Sequence, residues 1–192
     1  MTNFANQQQF DDPRALGWAA KGIVSPQKLE IQPRTLIYRY GNDMKNAVNG
    51  PWWLDLGQRI RVEEWAVLNR ISLPHAIRIM CAVMHEWEKQ NPSAPPSFST
   101  MEYLASAITT KPLLAYVGES RPQSRRQANS TGIAEQVGPA TLNPPMTQLY
   151  IPGLDDRSPC GDLLDFFPLI RVDVSASELL SGVTVPPRES LS

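Results

Sequence analysis

Arg39 sits between two aromatics in the run Thr35-Leu36-Ile37-Tyr38-Arg39-Tyr40. A guanidinium suits phosphate because its fork donates two parallel hydrogen bonds. Ser97-Phe98-Ser99-Thr100 is a hydroxyl-rich turn that leads straight into an apolar run, and Gln148 opens Gln148-Leu149-Tyr150-Ile151-Pro152. Sixty residues separate Arg39 from Ser99, and 49 separate Ser99 from Gln148. Plainer readings stand beside each. Ser99-Thr100-Met101-Glu102 is also a capping box, S-x-x-E ahead of apolar residues. Arg39 also reads as an edge-strand residue paired with an acid. Trp52-Trp53 reads either as core or as an aromatic wall for a planar ring.

Other chemistries find less. No glycine-rich phosphate loop and no His/Cys metal pattern is present, so no metal is expected. His75 and His85 lie ten residues apart on one expected helix. They therefore do not stack, and a catalytic triad is hard to build from them. Arg121, Arg125 and Arg126 form a basic cluster suited to a phosphate-bearing ligand or nucleic acid, without the aromatic interleaving of a base-stacking surface. Cys81 falls in an apolar helical run and Cys160 in a loop, which is no disulfide framework.

The chain of 192 residues carries 18 prolines, 19% charged residues and a net charge of −1. It is richer in rigid turns and poorer in charge than an average domain. The charge is uneven, with a balance of +3 over residues 1–154 and −4 over 155–192. No stretch approaches the length of a membrane span, so no membrane partner is expected. The first fourteen residues lack the pattern of a cleaved signal peptide. The expected location is cytoplasmic, or a target cell reached without a classical signal.

These residues need a scaffold. Thr35–Tyr40 is β-branched and aromatic and predicts a strand ended by Gly41-Asn42-Asp43. Helices are predicted over about Gln58–Arg70 and Leu73–Lys89, the second opened by Ser72 and Pro74 with Ile77, Met80, Cys81, Met84 and Trp87 at three-to-four spacing. A short helix is expected over Met101–Ile108. Strands are expected over Leu113–Gly118, Gln148–Gly153 and Leu163–Val174, the last broken or placed at an edge by Pro168. Residues 119–147 read as one long polar loop. The pattern is α+β: a small split antiparallel β-sheet core with an N-terminal helical lobe. A partly disordered polar lead-in occupies 1–34, a single domain 35–175 and a tail 176–192.

Arginine on a strand, a Ser/Thr turn before a helix, and a polar strand closed by proline, in that order, resemble the arginine-type ADP-ribosyltransferase fold of bacterial toxins and effectors. The resemblance covers about residues 35–155. It implies NAD as substrate, with Arg39 holding the phosphates, Ser99 orienting Arg39 and the ribose side, Thr100 in the bracing strand, and Trp52 or Tyr38 stacking on a ring. Gln148 falls where the family carries its catalytic Glu, Met146 where its first Glu stands, and Met101 in the third place of the Ser-Thr-Ser triplet. A Gln cannot supply the negative charge wanted at the ribose, so the resemblance leaves Glu119, or less directly Glu102 or Glu135, to provide it. The implied activity is transfer of ADP-ribose to a protein or nucleic-acid target. NAD glycohydrolase activity, or a non-catalytic, degenerate interaction protein of the same fold, is the alternative. An immunity protein is the implied partner in the producing cell.

Overall fold

A computed structural model describes residues 3–83, 101–126, 133–137, 145–154 and 162–172. The described helices all fall in the N-terminal part: α1 (Gln7–Phe10), α2 (Pro13–Gly22), α3 (Met44–Val48), α4 (Leu56–Asn69) and α5 (Leu73–Cys81). Aspartates start three of them. Asp12, Asp43 and Asp55 accept backbone N–H bonds from Arg14, Asn46 and Gln58 at 2.7–2.8 Å, satisfying amides that the first turn leaves without partners. Pro13 suits the first position of α2, where no N–H is needed.

The strands are β1 (Ile23–Ile31), β2 (Leu36–Gly41), β3 (Trp52–Trp53), β4 (Tyr103–Thr109), β5 (Leu113–Ser120), β6 (Gln123–Arg126), β7 (Ile133–Val137), β8 (Thr147–Tyr150), β9 (Leu164–Phe166) and β10 (Ile170–Arg171). All their pairings are antiparallel. One sheet runs β1-β5-β8-β3, and a second runs β10-β4-β2 with β9 also on β4. The two meet at a single bridge, where Tyr38 and Leu54 exchange backbone bonds of 2.9 and 2.7 Å. The architecture is therefore α+β with a split antiparallel core. Helices α4 and α5 bury Val62, Ala66, Leu73, Ile77 and Met80 against Tyr38, Tyr40 and Leu104. Ile37, Trp53, Ala107, Leu113 and Ile151 fill the core of the sheets.

Four expectations change. Residues 103–109 form a strand, not a helix. Ala105, Ala107 and Thr109 are buried along one side, and β2 pairs with the strand along its length; a short apolar run satisfies either period. Residues 23–31, expected in the lead-in, form the edge strand β1 on β5. The expected loop 119–147 holds the hairpin β6–β7 and the start of β8. Finally, α5 ends at Cys81. Ala82 turns left-handed at φ 53°, and the Gln148 side chain takes the Cys81 carbonyl. The rest of the helix expected to Lys89 lies outside the described residues.

Candidate active site

A cleft of about 430 Å³ opens where the two sheets diverge. It is walled by β2, β3 and β8, by the last turn of α2 and by the end of α5. Tyr38, Arg39, Trp52 and Gln148 all line it. These residues come from points more than 100 positions apart in the chain.

Arg39 is half-buried and braced. Its Nε donates to the Asn46 carbonyl at 3.3 Å and its Nη1 to the Trp52 carbonyl at 2.9 Å. The guanidinium lies against the backbone of Gly50, where an added Cβ would come within 2.5 Å of Cζ. Gly50 also holds φ +140°, a conformation that side chains rarely adopt. Its carbonyl accepts the Trp53 indole N–H at 2.8 Å. One glycine thus fixes both the arginine and the second tryptophan.

Trp52 presents an aromatic wall. Its indole meets Tyr150 edge-on, with centroids 4.9 Å apart and planes at 63°. Arg59 lies over the buried ring of Tyr38, its Cζ 4.7 Å from the centroid. Tyr40, Asn42 and Asn46 add polar groups to the lining. Among the described residues, the Tyr40 hydroxyl and the Asn46 Oδ1 are buried with no hydrogen bond of good geometry, although Arg59 stands near the Tyr40 hydroxyl. Burial, reinforced by the charge of Glu63, pushes the Tyr40 phenol above its ordinary value, so it stays protonated.

Gln148 is buried, and its Nε2 donates to the Cys81 carbonyl at 2.8 Å and to Ser120 Oγ at 2.6 Å. A carbonyl only accepts, so this geometry requires a hydrogen-bond donor at the tip, which the Gln amide supplies at every pH. The side chain ties β8 to the end of α5 and to β5. Met146, two residues earlier, packs fully buried in the core with α4 and α5. Cys81 lines the cleft as a buried thiol that burial pushes up to about 12, so it carries no thiolate at neutral pH.

Glu119 is elsewhere. It pairs with Thr147 on β5 while Gly118 pairs with Gln148, so it points to the opposite face of the sheet and is exposed. Ser99 and Thr100 lie outside the described residues. Their neighbour Met101 lines the cleft, buried and left-handed at φ 61°. Among the described lining residues the charged ones are Lys21 and Arg39, both cations, and no carboxylate joins them. Among the described residues no cluster of His, Cys, Asp and Glu could hold a metal, and no helix is long and apolar enough to cross a membrane.

No family model and no curated protein matches the chain. Its fold is similar to a solved one. The structure "Rhs1-CT in complex with cognate immunity protein RhsI1" contains a chain that matches at TM-score 0.50 and 10% identity, over 85% of this chain and 99% of that one. At that identity the likeness is one of fold.

Lys21, Gly22, Asn42 and Asn46 are among the lining residues that sequence reasoning missed. A Lys-Gly pair ahead of a strand reads as an ordinary helix end. Its place beside Trp52 is set by contacts across thirty residues of chain.

Proposed function

We propose that this chain is a toxin- or effector-type domain that takes NAD into the cleft and breaks its nicotinamide–ribose bond. The bond from C1′ of the ribose to the pyridinium nitrogen breaks with its electron pair going to nicotinamide. An acceptor on a protein or nucleic acid, or water, bonds to C1′ and loses its proton. The observation that carries this reading is the convergence of Arg39, Tyr38 and Trp52 in one cleft, whose described lining residues include two cations and no acid. Arg39 holds the pyrophosphate through a guanidinium already fixed by two carbonyls. Trp52 or Tyr38 stacks on a ring of the dinucleotide. Ser99 and Thr100 keep the roles that the ADP-ribosyltransferase resemblance implies. The fold shared with a chain of a toxin–immunity complex supports a toxin setting, with an immunity protein as partner. Action in the cytoplasm of a target cell belongs to the same reading.

One observation favours a second reading, a non-catalytic member of the same fold. Gln148 is committed to Cys81 and Ser120, and no described lining residue is an acid. Nicotinamide release separates the two. The full chain is incubated with NAD, with and without cell lysate, and free nicotinamide is quantified. Release that is lost in Arg39→Ala supports the enzyme. NAD binding without release under either condition supports the binding module. Neither binding nor release overturns the NAD reading and leaves a non-catalytic interaction protein.

A further inference from the structure

We propose that the last turn of α2, Lys21–Gly22, together with Trp52, forms a half-site for a nucleoside monophosphate within the cleft. The inference rests on the nucleotide-binding reading given above and makes the N-terminal segment part of the site.

Gly22 has a steric reason to be glycine. A Cβ there would come within 2.5 Å of Trp52 Cη2, 2.9 Å of Cζ2 and 3.0 Å of Cζ3. These are the outer atoms of the indole, so the ring lies flat on the helix end. Backbone conformation does not demand glycine, since Gly22 is helical and has no positive φ. Alanine would be the better helix former at that position. The chain therefore keeps a poor helix former where it seats a ring. Tyr150 supports the same indole edge-on at 4.9 Å. The result is a fixed aromatic ring that lines the cleft, a residue type suited to stack a planar heterocycle.

Lys21 sits beside that ring and also lines the cleft. Its Nζ stands 3.6 Å over the ring of Trp18, a contact that keeps its charge near the helix end. The carbonyl end of a helix repels anions, so Lys21 is what α2 offers to attract one. A ring platform with a cation next to it matches a heterocycle joined through ribose to a phosphate. Either half of NAD carries that chemistry.

The test is calorimetric titration of the full chain with NAD, AMP, nicotinamide mononucleotide and the two matching nucleosides. Gly22→Ala is expected to weaken the nucleotide that uses this half by about tenfold or more. Phe lacks the three indole atoms that the new Cβ would meet. Gly22→Ala added to Trp52→Phe should therefore stay within about twofold of Trp52→Phe alone. Lys21→Gln should weaken the nucleotide severalfold, less so at high salt, and leave the nucleoside unchanged. AMP and nicotinamide mononucleotide identify which half is held. Equal losses from Gly22→Ala in both backgrounds would overturn the proposal, as would a Lys21→Gln loss shared by the nucleoside. Thermal melts check folding, and Lys21→Gln, at an exposed position, decides the matter if Gly22→Ala does not fold. NAD binding unchanged in both variants overturns this half-site alone. A wild-type chain that binds none of the nucleotides overturns the functional reading with it.

Discussion

Replacing Gln148 with Glu puts a carboxylate where the ADP-ribosyltransferase resemblance wants one and where this structure cannot accept it. Gln148 is 8% exposed and donates to the Cys81 carbonyl at 2.8 Å. An ionised Glu leaves that carbonyl without its donor and sets two oxygens against each other. A buried acceptor left unsatisfied costs about 1–3 kcal/mol, and burial of the charge adds to it. The side chain escapes by taking up a proton, since a neutral acid can donate to Cys81. That escape costs about 1.4 kcal/mol for each pH unit above the free Glu value of about 4.3, or about 4 kcal/mol at pH 7. The penalty at pH 7 is therefore about 2–4 kcal/mol. For a chain of this size that corresponds to a melting temperature lower by about 4–16 °C. The folded-state pKa of the new Glu lies above its unfolded value. The variant then matches the parent best below about pH 4.3 and loses ground as pH rises through the folded pKa. Melts of both proteins from pH 4.5 to pH 8 check this. Equal melting temperatures at pH 7, or a gap that widens on acidification, would refute the role given to Gln148.

Three further predictions follow from the same geometry. Gly50→Ala should destabilise the fold by more than about 1 kcal/mol and weaken NAD binding, because its Cβ displaces the Arg39 guanidinium and φ +140° disfavours a side chain; paired melts and titrations read both effects. Asn6→Ala should cost about 2–4 kcal/mol in chemical denaturation, since its buried amide donates to the Leu114 and Pro152 carbonyls and accepts from the Leu114 N–H, each at 2.8 Å. The Cys81 thiol, buried and pushed up to about 12, should react with a thiol reagent in the folded protein only as fast as the chain opens, and quickly once denatured.

The parts that were legible are those whose local pattern and tertiary role agree. β2 announces itself through Thr35–Tyr40, β5 through its apolar run, and α5 through Ser72, Pro74 and the Ile77/Met80 spacing. Arg39 was legible as a strand cation, but its place in the cleft depends on the Asn46 and Trp52 carbonyls and on Gly50, which the sequence does not bring together. Gln148 was legible as a position but not as a role: its partners, the Cys81 carbonyl and Ser120, lie 67 and 28 residues away. β1 was hidden because most of its residues face solvent at a sheet edge and Pro26 interrupts it. β4 was misread because Ser99 and Glu102 imitate a capping box while Ala105 and Ala107 fit either period. Lys21 and Gly22 carried no signal of their own. Their meaning lies in what a Cβ would strike, and only the folded chain shows that.

The cleft between β2, β3 and α2 is the proposed seat of an NAD-type dinucleotide. A crystal structure of the full chain grown with NAD tests it most directly. The dinucleotide should lie in that cleft, with phosphate oxygens at about 3 Å from the Arg39 guanidinium and a ring lying on Trp52. An empty cleft at saturating NAD, or the dinucleotide bound elsewhere, would contradict it.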